Sequence, residues 1–476
     1  MSITPDNTMF IVLSFEGHDV YSTVGGLGAR VTHLTNTLAG MGFQVHHIFI
    51  GDPKLEGIEG RKEGKLVLHR WCQWISQYHP FGVYDGEEGK LCDFTQSAPP
   101  FVVHELAIPA ICQGKLVVVM GEEWQTAEAV CRISELLSGA GLQGMAVIFW
   151  NANNTYSFKR IDWGRLATAA TITTVSRYMK QIMLKMGVNP LVIPNGIPKA
   201  VISEVNEGDV STLRELVHAD LILTKVARWH PDKGWKTVIQ VMDSLRKSGR
   251  RPVLLARGST DPYGQRIALQ AWALGLKMKS LHLRGDPEEH YRRAALEREF
   301  SPYFKAISRV GSGDILNLRF PIPLSFLQVL YQASDVVLAN SIHEPFGLVG
   351  LEAMAAGAVV FCGSSGEDYA THMYNAIVLD TSSAEEIEFY ISYLHAHPEI
   401  RKTIGTAARR TAEQYTWEEV VETLLCKLEY QARLQGVSLP SEPEGSATEQ
   451  DIILNSQFTP PPTEAARYSL LNVGSK

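Results

Sequence analysis

Two carboxylates bracket a glycine-containing segment in EPFGLVGLE, which begins at Glu344 and ends at Glu352. The apolar run DVVLAN precedes the segment and the run AMAAG follows it, which predicts a strand that turns into a helix. Phe346, Gly347 and Leu348 would begin that helix, where backbone N–H groups have no intrahelical acceptor. A fully helical bracket would turn by ~800° and leave Glu352 only ~80° from the direction of Glu344. We therefore expect both carboxylates to accept hydrogen bonds from one ligand that carries hydroxyl groups.

A pair of cations follows another predicted strand, in the segment VARWHPDKGWKT. The pattern predicts that Arg228 ends a strand and that Lys233 opens a helix after Pro231. A guanidinium fork, an ammonium group and the positive end of a helix together suit a diphosphate. In the structural alternative, both cations pair with Asp232 or other acids at the surface. The corresponding alternative for the glutamate bracket is one helix cap and one ordinary helical residue. The residues alone leave these alternatives open.

A glycine-rich loop, STVGGLGARV, follows the first predicted strand. Gly25, Gly26 and Gly28 permit positive φ values and a close backbone approach, so that amide N–H groups could converge on an anion. The loop lacks the G-x-G-x-x-G order of a dinucleotide site, which argues against an ordinary dehydrogenase. A simple turn is the alternative.

The elements that must position these residues form two series. Apolar runs of strand length alternate with amphipathic runs, first from MFIVLSF to VIPNGIP and again from LILTKVAR onward, which predicts an α/β protein. We expect two doubly wound, Rossmann-like domains over residues 1–198 and 199–410. A C-terminal helix over 411–435 would pack back toward the first domain, and residues 436–476 would form an extended or disordered tail. Ligands bind outside the carboxyl ends of such strands, so domains that face each other would place the site in their cleft.

Composition narrows the class of function. The 476 residues are 45% hydrophobic and 20% charged, and the net charge of -7 gives no general attraction for nucleic acid. The six cysteines contain no C-x-x-C pair, which speaks against zinc clusters and disulfide frameworks. No D-x-D occurs, so we expect no metal ion. MFIVLSF is too short for a signal sequence or a membrane span, and we expect a cytoplasmic protein without an integral membrane segment.

Taken together, these motifs resemble those of retaining GT-B glycosyltransferases of family 4, the group that includes glycogen synthase-like and sucrose synthase-like enzymes. EPFGLVGLE is similar to the family's E-x7-E motif, VARWHPDKG to its R-x4-K segment, STVGGLG to its glycine loop and VIPNGI to its interdomain crossing. The resemblance covers roughly residues 9 to 430 and is strongest in the C-terminal half. It implies a GT-B fold, in which an N-terminal acceptor domain and a C-terminal donor domain face each other across a cleft.

The resemblance also implies roles for the site residues. Arg228 and Lys233 would hold the diphosphate of a nucleotide sugar. Glu344 would contact the donor sugar, and Glu352 would bind the ribose. The remaining donor-binding residues would be the glycines of the N-terminal loop, the amides that open the helix, and two residues near the base, namely Gly25, Gly26, Gly28, Phe346, Gly347, Leu348, Arg257 and Gly258.

Two departures from the family pattern bear on the chemistry. Asn151, in WNANNTYSF, stands near the place of a histidine in many relatives, and we take it as a site residue that orients a sugar hydroxyl without carrying a proton. MGEEWQTAE has Glu122 and Glu123 where relatives have His and Asp. For Glu123 a functional and a structural role remain equally open.

The implied reaction is the transfer of a sugar, with retention of configuration, from a nucleotide sugar to the hydroxyl of a small-molecule or glycan acceptor. No cofactor is expected beyond this co-substrate. A GT-B-shaped nucleotide-sugar epimerase and a non-catalytic nucleotide-sugar-binding regulator are the alternatives. Nothing in the sequence indicates the nucleobase, the sugar, the acceptor or the oligomeric state.

Overall fold

The computed structural model describes residues 2–202, 204–309, 313–363, 365–381 and 383–437. Within them the chain divides into an N-terminal unit, which contains residues 2–175, 179–193 and 421–437, and a C-terminal unit, which contains 176–178 and 194–420. The break between residues 193 and 194 lies near the predicted boundary at residue 198. Apart from residues 436 and 437, the predicted tail lies outside the described residues.

The N-terminal unit, as far as it is described, is built on an eight-stranded sheet of order β3-β4-β2-β1-β5-β6-β7-β8. All pairings are parallel except that of β3 with β4, a hairpin that the sequence pattern did not predict. The central strands are buried along their whole length, as expected for a parallel sheet with both faces covered. The strands are β1 (Thr8–Leu13), β2 (Gln44–Ile50), β3 (Ile58–Arg61), β4 (Leu66–Trp71), β5 (Leu116–Glu122), β6 (Ala146–Ala152), β7 (Thr171–Thr174) and β8 (Leu191–Val192).

Helices cover this sheet, and the first of them joins the parallel strands β1 and β2 in a βαβ unit. In its helix the apolar side chains of Val31, Leu34 and Leu38 recur at helical spacing and are buried. The helices of the first series are α1 (Gly26–Gly40), α2 (Gln73–Ser76), α3 (Glu87–Phe101), α4 (Ile108–Cys112), α5 (Ala127–Gly139), α6 (Trp163–Ala169) and α7 (Arg177–Leu184).

The C-terminal unit repeats the design with an all-parallel sheet, whose described strands follow the order β11-β12-β10-β9-β13-β14-β15. These strands are β9 (Leu221–Val226), β10 (Pro252–Arg257), β11 (Met278–Leu281), β12 (Ile315–Leu318), β13 (Val336–Ala339), β14 (Val360–Cys362) and β15 (Ile377–Val378). The helices are α8 (Glu207–Val217), α9 (Trp235–Lys247), α10 (Tyr263–Ala273), α11 (Pro287–Glu297), α12 (Ser301–Ser308), α13 (Leu324–Ala333), α14 (Leu348–Ala355), α15 (Ala384–Ala396) and α16 (Pro398–Glu413).

The two doubly wound, Rossmann-like domains predicted from the sequence are therefore confirmed. The final helix, α17 (Trp417–Leu434), begins later than the predicted residue 411, and its residues from Val421 onward belong to the N-terminal unit. None of the helices that the structure describes combines the length and the apolar character needed to cross a bilayer.

Candidate functional site

Three neighbouring strands of the C-terminal unit bring the predicted donor-binding residues to one edge of its sheet. β9 lies between β10 and β13, and all three run in the same direction. Arg228 follows β9, Arg257 ends β10, and Glu344 lies in the loop after β13. Residues that are widely separated in sequence thus meet at the carboxyl ends of adjacent strands, where ligands of such sheets bind.

Lys233 and Glu344 form a direct ion pair at this edge. The distance from Lys233 Nζ to Glu344 Oε2 is 2.8 Å, and the two side chains are 17% and 23% exposed. The same loops are joined by a hydrogen bond of 2.7 Å that the backbone N–H of Ile342 donates to the carbonyl of Asp232. A half-buried cation and a half-buried carboxylate side by side can bind an anionic group and a hydroxyl of one ligand.

The cationic pair lies before a helix rather than within its first turn. β9 ends at Val226, so Arg228 lies two residues beyond the strand, and the α-helix begins at Trp235. Between them Gly234 has a φ of 68°, and a Cβ there would lie 2.3 Å from the carbonyl oxygen of Asn340. The prediction that Arg228 ends the strand was therefore wrong by two residues. The prediction that Lys233 opens the helix was also wrong, because the close approach of Gly234 to Asn340 forces a left-handed turn first.

Arg257 and Gly258 lie beside the Arg228 loop. A Cβ on Gly258 would lie 2.0 Å from Nε1 of Trp229, so this position accepts only glycine without rearrangement. The ring of Trp229 packs on that of Trp235 with centroids 3.9 Å apart. The Arg257 side chain donates a hydrogen bond to the carbonyl of Gly258, and burial lowers its pKa.

The glutamate bracket is not a continuous helix. Gly347 has a φ of 82° and precedes α14, whose first residue is Leu348. Phe346 is 2% exposed and belongs to the preceding loop. The ~80° relation between Glu344 and Glu352 was therefore wrong, since it required eight helical residues. Of the three amides assigned to the helix start, only that of Leu348 belongs to the helix.

Glu352 occupies a different environment from Glu344. Its side chain lies on α14, where desolvation raises its pKa to about 7. Tyr331 on α13 is buried near it, and the Oη of this tyrosine has no hydrogen-bond partner among the described residues. Glu344 is thus an ion-paired carboxylate in a loop. Glu352 is a carboxyl group on a helix, and this group is only partly ionised near neutral pH.

Glu367 is a buried carboxyl group beside the bracket loop, and sequence reasoning missed it. It is 6% exposed, and its pKa is raised to about 8, first by burial and then by the charge of Glu344. Its Oε1 has no hydrogen-bond partner in the part of the chain that the structure describes. A Cβ on Gly347 would lie 2.8 Å from its Cγ, which places it against the bracket loop. The signal available in the sequence was an acidic residue shortly after an apolar run, in AVVFCGSSGEDYA.

The glycine loop of the N-terminal unit already holds an anion, and that anion is part of the chain. Oε2 of Glu16 accepts hydrogen bonds from the backbone N–H groups of Val24, Gly25 and Gly28, at 3.0, 3.1 and 2.9 Å. The hydroxyl of Tyr84 donates to Oε1 of the same carboxylate at 2.6 Å. The amides converge as the sequence predicts, but they converge on Glu16.

The structure gives a steric reason for only one of the three loop glycines. None of Gly25, Gly26 and Gly28 has a positive φ, so that expectation was wrong. A Cβ on Gly28 would lie 2.9 Å from Glu16 Oε2, whereas Gly25 and Gly26 have open space at that position. Only Gly28 is therefore required by close approach.

Asn151 belongs to a buried polar network at the ends of β5 and β6. Its Nδ2 donates to Glu122 Oε2 at 2.9 Å, and its Oδ1 accepts from the Thr173 hydroxyl at 2.8 Å. Glu122 is also paired with Arg30, at 3.0 Å. Both the nitrogen and the oxygen of the Asn151 amide form hydrogen bonds, and the residue is 1% exposed, so Asn151 has a structural role in this network.

Glu123 is a buried carboxyl group on a strained backbone. It has φ 68° and ψ 167°, a combination that is adopted almost only by glycine. Its side chain accepts a hydrogen bond of 2.6 Å from the N–H of Asn153, and burial, helped by the charge of Glu122, raises its pKa to about 8. A strained residue with a protonated carboxyl group at a strand end has the character of a functional group.

Sequence comparisons with known proteins match part of the C-terminal unit. Residues 316–411, which include Glu344 and Glu352, match the family model described as glycosyl transferases group 1. A D-inositol 3-phosphate glycosyltransferase from Segniliparus rotundus is 30% identical over 133 residues, which are 28% of this chain and 29% of that relative. The chain thus spans less than a third of the length of the first curated relatives that it matches.

Solved structures extend the likeness to both units. A sucrose-phosphate synthase from Thermosynechococcus elongatus superimposes with a TM-score of 0.61 at 17% identity, covering 90% of this chain and 100% of that chain. HepE from Anabaena, solved in complex with UDP and glucose, gives a TM-score of 0.57 at 14% identity, with coverages of 89% and 100%. The chain therefore has the two-sheet fold of GT-B glycosyltransferases, and its residues 316–411 are related in sequence to glycosyl transferases of group 1.

Proposed function

We propose that this protein is a retaining hexosyltransferase of family 4 that transfers a sugar from a nucleotide sugar to an acceptor hydroxyl in the cytoplasm. The observation that carries the proposal is the Lys233–Glu344 pair at the ends of two adjacent strands. The pair offers a cation for a diphosphate and a carboxylate for sugar hydroxyls within one half-buried site, in the unit whose residues 316–411 match the group 1 family.

In the proposed reaction the bond between the sugar C1 and the β-phosphate oxygen breaks, and a bond from C1 to the acceptor oxygen forms on the same face. The acceptor proton passes to the departing phosphate. Lys233 and Arg228 would stabilise the negative charge that grows on the diphosphate, and Glu344 would orient the sugar. No side-chain nucleophile and no metal ion is required by this scheme.

Glu352 would bind the nucleotide ribose, and Arg257 with Gly258 would border the base. The assignment of Gly25 and Gly26 to donor binding stays a prediction. For Gly28, Glu16 occupies the contact that was expected for the donor. Asn151 would act through Glu122, by fixing the strand ends, rather than by contact with the sugar.

A panel of nucleotide sugars tests the proposal. UDP-, ADP- and GDP-glucose are incubated with the protein, with and without acceptors that include inositol 3-phosphate, a choice suggested by the name of the curated relatives. We expect nucleotide release that depends on one acceptor, and a product whose anomeric proton shows retained configuration by NMR. Interconversion of the sugar without an acceptor would support the epimerase alternative, and binding without turnover would support the regulator.

A further inference from the structure

Lys225, on β9, carries an ammonium group that the proposed reaction does not use. The residue is 1% exposed. Its Nζ donates hydrogen bonds to the carbonyl of Leu338, at 3.1 Å, and to Oδ1 of Asn340, at 2.7 Å. The same nitrogen lies 5.3 Å from the centroid of the Trp235 ring. Its hydrogen-bond acceptors within the described residues are thus a carbonyl and an amide, neither of which carries a charge that would offset the ammonium charge.

The position of Lys225 links it to the ion pair at the sheet edge. Asn340, which accepts its hydrogen bond, packs against Gly234, the residue that follows Lys233. Leu338 and Asn340 belong to β13 and to the loop that leads to Glu344. Lys225 therefore lies beneath both loops that carry the ion pair, and it connects them through neutral acceptors.

The electrostatic surroundings make this ammonium group responsive to added charge. The pKa of Lys225 is lowered to about 7, first by burial and then by the positive charge of Lys233, while the negative charge of Glu344 acts in the opposite direction. These are the charged groups that face Lys225 from the loops packed against it. An anion that arrives beside Lys233 would favour the protonated form.

We propose that Lys225 is a positioning residue of the donor site and that it takes up a proton when a nucleoside diphosphate binds beside Lys233. This inference rests on the proposed function. Lys225 does not touch the ligand. In its protonated form it stabilises the anion from below and holds the loops that carry Lys233 and Glu344. The proton comes from the solvent, and it returns there when the nucleotide leaves.

Proton uptake by Lys225 makes nucleotide affinity depend on pH in one direction. At about pH 8 the free protein would hold Lys225 mostly neutral, whereas the complex would hold it mostly protonated, so binding takes up a proton and affinity falls as the pH rises. The second phosphate pKa of a nucleoside diphosphate lies well below this pH, and its contribution is the same for every variant.

Calorimetric titration measures the proton directly. UDP, ADP and GDP are titrated into the protein at about pH 8 in two buffers of different ionisation enthalpy, and the difference in heat gives the number of protons taken up. We expect several tenths of a proton for the native chain and close to none for Lys225→Met, which keeps the length of the side chain. Lys236→Met, at an exposed position on α9, is the matched control and should behave as the native chain.

A second variant guards against misfolding of the first. Asn340→Asp places a carboxylate where Lys225 finds an amide, so the lysine should remain protonated in both states and the proton uptake should vanish while the nucleotide still binds. Equal proton uptake by the native chain and by folded Lys225→Met would overturn the inference and leave the proposed function intact. Failure of all three nucleotides to bind the native chain would overturn both.

Discussion

The ammonium nitrogen of Lys233 lies 2.8 Å from Oε2 of Glu344, although 111 positions separate the residues in the sequence. This contact joins the R-x4-K segment to the E-x7-E segment within the C-terminal unit. The ion pair means that a diphosphate bound by Lys233 must share the cation with Glu344 or displace it. Substitution of either residue should therefore change how the site binds a diphosphate.

Removal of either cation should lower turnover without unfolding the protein. We expect Lys233→Ala and Arg228→Ala each to lose about 2–4 kcal/mol of transition-state stabilisation, because both remove charge from an anion site rather than bulk from a core. The checks are kcat/KM for sugar transfer and the melting temperature. Lys236→Ala removes an exposed lysine from the helix that follows, α9, and should change neither. Unchanged turnover in both site variants would place the diphosphate elsewhere.

Substitutions of the two glutamates of the bracket should affect the binding of free nucleotide differently. Glu352→Gln should weaken the binding of a nucleoside diphosphate if this carboxyl group holds the ribose. Glu344→Gln should chiefly lower kcat for transfer, because a misplaced sugar reduces the productive geometry, while the affinity for the sugar-free nucleotide should not fall, because the substitution releases Lys233 from its ion pair. Titration calorimetry with the nucleoside diphosphate distinguishes them, and equal affinity in all three proteins would remove the bracket from the nucleotide site.

Loss of the Glu16 carboxylate should loosen the glycine loop. Glu16→Ala leaves three buried or partly buried N–H groups and the Tyr84 hydroxyl without their acceptor, which should cost about 2–3 kcal/mol of unfolding free energy. Hydrogen exchange followed by NMR should show faster exchange at the amides of Val24, Gly25 and Gly28. The exposed Glu56 supplies the control, Glu56→Ala, in which exchange at these amides should stay slow.

Acid should destabilise the protein through buried histidines of the N-terminal unit. Burial, and then the neighbouring His46, lowers the pKa of His69 to about 3. The unfolded chain therefore binds a proton at this residue below about pH 6.5 that the folded chain does not, so stability falls as the pH drops below that value. At about pH 5 the cost from His69 alone is about 1–2 kcal/mol.

A substitution isolates this contribution. The loss of unfolding free energy between about pH 7.5 and about pH 5 should be smaller in His69→Gln than in the native chain, because glutamine does not titrate. Denaturant unfolding at both pH values measures it. His282→Gln, at an exposed position, should show the native pH dependence. An identical dependence in all three proteins would mean that His69 protonates as easily in the folded state as in the unfolded state.

The alternation of apolar and amphipathic runs was enough to predict the two sheets, because a parallel strand buried on both faces has a continuous apolar sequence such as LVVVM in β5. Helix starts were predicted less well. The sequence suggested a helix at Lys233 and at Phe346, yet a left-handed glycine at 234 and another at 347 delays each helix. Contacts with distant residues, such as Asn340 against Gly234, require these turns, and no local pattern reports them.

The sequence also could not predict which residues of the site pair with one another. Sequence reasoning could place Lys233, Glu344 and the glycine loop after strands, but it had no means of showing that Glu344 pairs with Lys233 or that Glu16 fills the loop. Hydrogen bonds between side chains and a loop depend on tertiary geometry. Glu367 was overlooked for the same reason, since only its burial beside Glu344 sets it apart from other glutamates.

The carboxylate of Glu16 acts as a built-in counterion of the glycine loop, and this offers a route to chemical rescue. Truncation of Glu16 to alanine would leave a vacancy lined by three backbone donors and a phenol, with the size and polarity of a small carboxylate. Formate or acetate supplied in solution could then occupy it and restore the order of the loop. The truncated protein would thus become a switch whose folding responds to the concentration of a simple organic anion.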